Sequence, residues 1–216
     1  MVQNLTERSG KVDRVKPPAT LRSDRPDPAA ELKAVALQLF VETSYAGASL
    51  QQIADAAGYS KSSVLYHFAS KEALLEAALR PAVARLGELL DDSVSRISDA
   101  RLRTAFVDEF IDFLLVYGLE AHIVINQGQS LAGIPIIDEA REFIVRLGDA
   151  FKSGLSTTEQ RIRLGVALAG AAYVVATGVS LQGTIDTEPI DDLRRSLVGV
   201  VTELLLPLAA APTVTL

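Results

Sequence analysis

This chain predicts an all-α fold, with a small N-terminal three-helix unit set on a larger C-terminal helical bundle. Three observations lead there. Apolar residues recur at three- and four-residue spacing through most of the chain. Alanine and leucine dominate them and only 6% of residues are aromatic, a mixture that suits packed helices better than sheets. No segment alternates apolar and polar positions over strand-forming residue types.

Residues 1–26 are rich in proline and charge and lack periodicity, which predicts a disordered arm with six basic residues against three acidic ones. Asp27 followed by Pro28 is a helix start, an N-cap and a first-turn proline. Leu32, Val35, Ala36, Leu39 and Phe40 then form one apolar face that runs to about Thr43, and Gly47 breaks the run. Ser49 and Gln52 make an S-x-x-Q capping box for a second helix with Leu50, Ile53, Ala54 and Ala57 inward. Gly58 supplies a left-handed turn. Ser60 caps a third helix, and Ser70 caps a fourth that runs from Lys71 towards Asp92, with Pro81 as a kink or break. Further helices are expected near 99–117, 120–130, 135–152, 157–183 and 188–208. The domains expected are the arm (1–26), the three-helix unit (27–72) and the bundle (73–216).

Residues 49–72 carry the functional signal. On a helical wheel the third helix puts Val64, Leu65 and Phe68 on one arc and Ser63, Tyr66 and His67 on the other, with Ser62 at the boundary. So short a helix cannot persist alone. It must be anchored by Leu65 and Phe68, which frees the opposite face. Serine hydroxyls reach phosphates or bases, and tyrosine and histidine donate to phosphate oxygens. Lys61 and Lys71 add positive charge at two helix starts, and Ser49 and Gln51 stand where they would anchor a DNA backbone from the other side. An ordinary helical hairpin with a polar outer face shares several of these features.

The run SLQQIADAAGYSKSSVLYHFASKEALL resembles the N-terminal signature of the TetR family of bacterial transcriptional regulators. The matching elements are Ile53-Ala54 in the capped helix, Ala57-Gly58 before Ser60-Lys61, then Leu65-Tyr66-His67-Phe68 and Ser70-Lys71-Glu72. The resemblance covers residues 29–76. It implies a homodimer on a palindromic operator in double-stranded DNA, and a C-terminal domain whose small-molecule effector lowers DNA affinity. It also sets Ser62, Ser63, Tyr66 and His67 on groove-facing positions and Lys71 on a phosphate contact. Two departures are a longer arm before the first helix and the Ser62-Ser63-Val64 run, which bears on operator sequence. The arm suits a minor groove beside the reading unit or a solvated tail. A helical ligand-binding or scaffolding protein that keeps the helix-turn-helix shape without binding DNA is the rival reading.

In the C-terminal part, Gly165, Ala169, Ala172 and Ala176 form a smooth stripe, and Leu193, Leu197 and Leu204 continue a similar one on the last helix. Two such helices per subunit would pack as a four-helix dimer interface, or only bury their own core. Phe106, Phe110, Phe113 and Tyr117 share one helix side, with the polar residues His122 and Asn126 nearby. These residues, with Phe143 and Tyr173, are candidates for an effector pocket as well as for core packing. The scarcity of charge among them points to a largely apolar ligand.

Composition narrows the rest. There is no cysteine, which excludes disulfides and thiolate metal sites, and no secretory signal opens the chain. Both fit a cytoplasmic location. No nucleophile, phosphate-loop or metal-binding motif occurs, so no enzyme, metal or cofactor is expected. The net charge of −6 divides unevenly: residues 1–71 carry nine basic and seven acidic residues, the remainder twelve and twenty. Local field governs phosphate contact, so the acidic total leaves DNA binding open. From Leu164 to Ile185 there are 22 uncharged residues, but they are mostly small or polar, which predicts a buried helix and no membrane span.

Overall fold

A computed structural model describes residues 27–94, 100–152, 157–178 and 189–205. Within them the elements are α1 (Pro28–Gly47), α2 (Leu50–Ala57), α3 (Lys61–His67), α4 (Lys71–Val94), α5 (Ala100–Val116), α6 (Gly118–Gln127), α7 (Pro135–Lys152), α8 (Thr158–Gly178) and α9 (Ile190–Leu205). The predicted arm and the predicted helix ends past 178 and 205 lie outside the described residues.

The caps form as their residue types dictate. Asp27 Oδ1 accepts from the Ala29 N–H at 3.1 Å. Ser49 Oγ accepts from Gln52 N while Gln52 Oε1 accepts from Ser49 N, closing both halves of the capping box. Gly58, at φ 73, ends α2 in the left-handed region, and the Tyr59 N–H reaches back to the Ala54 carbonyl at 2.8 Å. Ser60 and Ser70 cap α3 and α4 by accepting from Ser63 N and Ala73 N.

Two boundaries differ from expectation. The break in α1 falls at Ser44, whose φ of 69 and ψ of 160 interrupt the helix three residues before Gly47. Helix α4 continues through Pro81 to Val94. Pro81 is exposed while Leu79, Ala82 and Val83 around it are buried, so inward packing holds the helix across the residue that breaks its ladder.

Two apolar clusters form the core. One gathers α1, α2, Val64 and Phe68 against the first half of α4 and adds Ile123, Leu131, Ile136 and Ile137. The N-terminal unit is therefore packed continuously onto α6 and the start of α7. The other joins the second half of α4 to α5, α8, α9 and Leu147 of α7. Helix α4 belongs to both. Among the described residues no helix is long and apolar enough to cross a membrane.

Candidate nucleic-acid interface and cavity

Helix α3 is anchored by Val64, which is fully buried, and by Phe68. Leu65, expected to share that role, is 45% exposed. The wheel misplaced it because Phe68 lies outside the helix, at a C-cap with φ −135 and ψ 117, so its direction says nothing about the helical arc. With Val64 at the centre of the buried side, Leu65 is turned outward. The same rotation leaves Ser62 exposed and Ser63 half-buried, reversing their expected ranking.

The outward surface carries Lys61, Ser62, Tyr66 and His67. Tyr66 is 85% exposed, and its ring meets His67 edge-on at 5.2 Å. Ser62 Oγ lies 2.9 Å from Ser60 Oγ. On α2, Ser49 Oγ is engaged in the cap, and Gln51 Nε2 donates to Asp55 Oδ1 at 2.7 Å. Gln51 must leave that bond to meet another partner.

Lys71 behaves differently from a surface lysine. Its Nζ donates to the Tyr45 carbonyl at 2.7 Å and the Ala48 carbonyl at 2.8 Å, and lies 4.3 Å from the centre of the Tyr45 ring. The ammonium fastens the turn between α1 and α2, and at most one of its three N–H groups remains for a phosphate. Burial, then the nearby Glu72 carboxylate, push the Tyr45 phenol upward from its ordinary pKa.

A cavity of about 680 Å³ opens in the bundle, walled by α4, α5, α6, α7 and α8. Phe110, Phe113 and Tyr173 line it; Phe106, Tyr117, His122, Asn126 and Phe143 do not. Phe106 stacks behind Phe110 at 5.7 Å, and Tyr117 packs on Phe113 at 5.3 Å. His122 turns its Nδ1 to the Ala176 carbonyl at 2.8 Å, and Asn126 is exposed. Phe143 fills the space over Gly87, where an added Cβ would come within 3.1 Å of its ring.

The small-residue stripe on α8 faces this space. Gly165, Ala169 and Ala172 line the cavity, and Ala176 is buried beside α6. A Cβ added at Gly148, Gly165 or Gly170 would meet nothing within 4 Å. Small side chains here leave open space beside the helix. Gly165 and Ala169 are themselves exposed, on the same side of α8 as Ile162, Val166 and Tyr173. On α9, Leu193, Leu197 and Leu204 are half-buried, and Ile190 and Val200 are exposed.

One wall residue was not anticipated. Glu120, in the first turn of α6, is the only formally charged side chain among the described residues that line the cavity. Burial pushes its carboxyl above the ordinary carboxylate range, partly offset by its own backbone N–H. No described residue forms an ion pair with it. Its sequence setting resembles any acidic first-turn residue, so only the surrounding helices reveal the cavity. No group of described residues could hold a metal ion.

Comparison with known proteins agrees with this geometry. The family model for bacterial regulatory proteins of the tetR family matches residues 32–78, which span α1 to the start of α4. The fold is similar to that of a TetR-family member from Streptomyces coelicolor A3, at TM-score 0.65 and 23% identity over 84% of this chain and 91% of that one. It is also similar to the ketosteroid regulator KstR2 of Mycobacterium tuberculosis, at 0.58 and 18% over 82% and 94%. The fatty acid degradation regulator FadR of Bacillus halodurans matches at 0.55 and 17% over 88% and 99%. Residues 32–78 therefore match the family model of the tetR bacterial regulatory proteins, and the chain as a whole shares the helical fold of these regulators.

Proposed function

We propose that the protein is a repressor that binds a palindromic operator as a homodimer and leaves it when a small, largely apolar effector enters the cavity. The observation that carries this reading is the position of α4. Its first turn ties the reading unit together through Lys71, and further along Leu79, Ala82, Val83 and Leu86 form part of the cavity wall. A ligand pressing on those side chains acts on the same rigid helix that seats α2 and α3. The wall is almost wholly apolar, which supports an apolar ligand. Ile162, Val166 and Tyr173 on α8 supply an apolar face for a two-fold partner.

Groove contacts fall to Ser62, Tyr66 and His67, with Ser63 contributing from its half-buried position. Lys61 meets phosphate, as does the spare N–H of Lys71, with Ser49 and Gln51 on the far side. Fluorescence anisotropy with the promoter region beside the protein's own coding sequence tests this. Salt-sensitive binding of a dimer is expected, and compounds that raise the melting temperature should release the DNA, because coupling between sites is reciprocal. Absence of salt-dependent binding would leave the rival reading, a helical ligand-binding protein without DNA affinity.

A further inference from the structure

We propose that the cavity selects an amphiphile carrying a single cationic head, a protonated amine on a hydrocarbon body, and that the Glu120 carboxylate receives that head. The proposal rests on the cavity being the effector site and adds the charge of the ligand. Among the described residues Glu120 is the one formally charged group on a wall otherwise built of side chains such as Phe110, Phe113, Leu168 and Ala169. Tyr173, which is 56% exposed, carries the other polar side-chain group among the described lining residues.

A half-buried carboxylate with no cationic partner among the described residues is a poor structural feature: it is desolvated and gains no ion pair from them in return. Burial raises its pKa, and its own backbone N–H opposes that shift only in part. A cation brought into the cavity would supply the missing partner in a setting of low dielectric, where a charge-assisted hydrogen bond counts most. A ligand with a free carboxylate meets the same apolar wall but places like charges together. A neutral alcohol donates one hydrogen bond without relieving the charge. The expected order is amine, then alcohol, then carboxylate.

Calorimetric titration of the full chain with decylamine, decanol and decanoate, all below their micellar concentrations, tests this order. Decylamine should bind about tenfold tighter than decanol or better, and decanoate weakest. Glu120→Gln should cost decylamine that advantage, leave decanol binding in place and improve decanoate. Retained decanol binding also shows that the variant is folded with its cavity intact. Ala169→Phe, which fills the cavity without changing net charge, should remove all three. Decylamine binding that survives Ala169→Phe is adsorption to an acidic surface and overturns the proposal. If the three bind alike, or if Glu120→Gln leaves the order unchanged, the charge assignment fails while the apolar effector site stands. If none binds, the effector-site reading fails and this proposal with it.

Discussion

Gln127 of α6 holds the backbone of α1 at Tyr45: its Oε1 accepts the Tyr45 N–H at 2.7 Å, and its Nε2 donates to the Phe40 carbonyl at 2.7 Å. Between those two points lies Ser44, whose φ of 69 and ψ of 160 fall in a region nearly reserved for glycine. Lys71 fixes the other side of the same turn through the Tyr45 and Ala48 carbonyls. A conformation costing about 1–3 kcal/mol persists where several bonds over-determine it. Here they join the reading unit to both α4 and α6.

Gln127→Ala therefore removes two long-range bonds and leaves a donor and an acceptor at the strained turn. A loss of about 1–3 kcal/mol is expected, measured by urea denaturation. A variant as stable as the parent would show that water replaces the amide without cost.

Lys71 and Tyr66 should separate stability from DNA binding. Tyr66 is 85% exposed, so Tyr66→Ala should weaken operator binding while stability stays within about 0.5 kcal/mol. Lys71→Ala loses two charge-assisted bonds and should destabilise the fold by about 2 kcal/mol as well as weakening DNA binding. Paired thermal melts and anisotropy titrations read both quantities.

The rotation of α3 has its own check. Val64 is fully buried and Leu65 is 45% exposed. Val64→Ala should cost on the order of 2 kcal/mol, and Leu65→Ala less than about 1 kcal/mol despite the larger deletion. Equal losses would return Leu65 to the anchoring role.

Glu120 predicts a pH dependence. Its folded pKa is raised, so the folded state retains the proton more readily than the unfolded chain. Its stabilising contribution is present below the ordinary carboxylate pKa and is lost as pH rises through the raised folded value. Glu120→Gln should melt higher than the parent at pH 8, with the difference shrinking towards pH 4. A pH-independent difference would place the carboxylate in water.

The outward face of α8 predicts association. Val166→Glu puts a charge in the middle of the Ile162, Val166 and Tyr173 face and should convert a dimer to a monomer in light-scattering chromatography at micromolar concentration. Gly165→Ala, which adds one methyl and no charge to the same side of the helix, should leave the dimer intact.

How much was legible in the sequence depended on the range of the interaction. Ser49 with Gln52, Gly58, Ser60 and Ser70 act on backbone groups within a few residues, so their spacing alone announced the reading unit and its outward Tyr66 and His67. The stripe of Gly165, Ala169 and Ala172 could equally admit a partner helix or leave a void, and its meaning depends on what stands opposite. Glu120 reads as an ordinary first-turn acid until five helices surround a space beside it. Leu65 and Val64 are adjacent and both apolar, and only the packed position of α3 chose between them.

The sequence by itself determined the helices, their caps and the resemblance of residues 32–78 to the tetR-family model, because those follow from local backbone chemistry and a short run of specific residues. Only the tertiary structure decided where Lys71 places its charge, which side of α8 faces outward, and that Glu120 is the one charged group among the described residues lining an apolar cavity. Each of these depends on residues distant in the chain, whose approach is set by packing, and packing has no signature in local spacing.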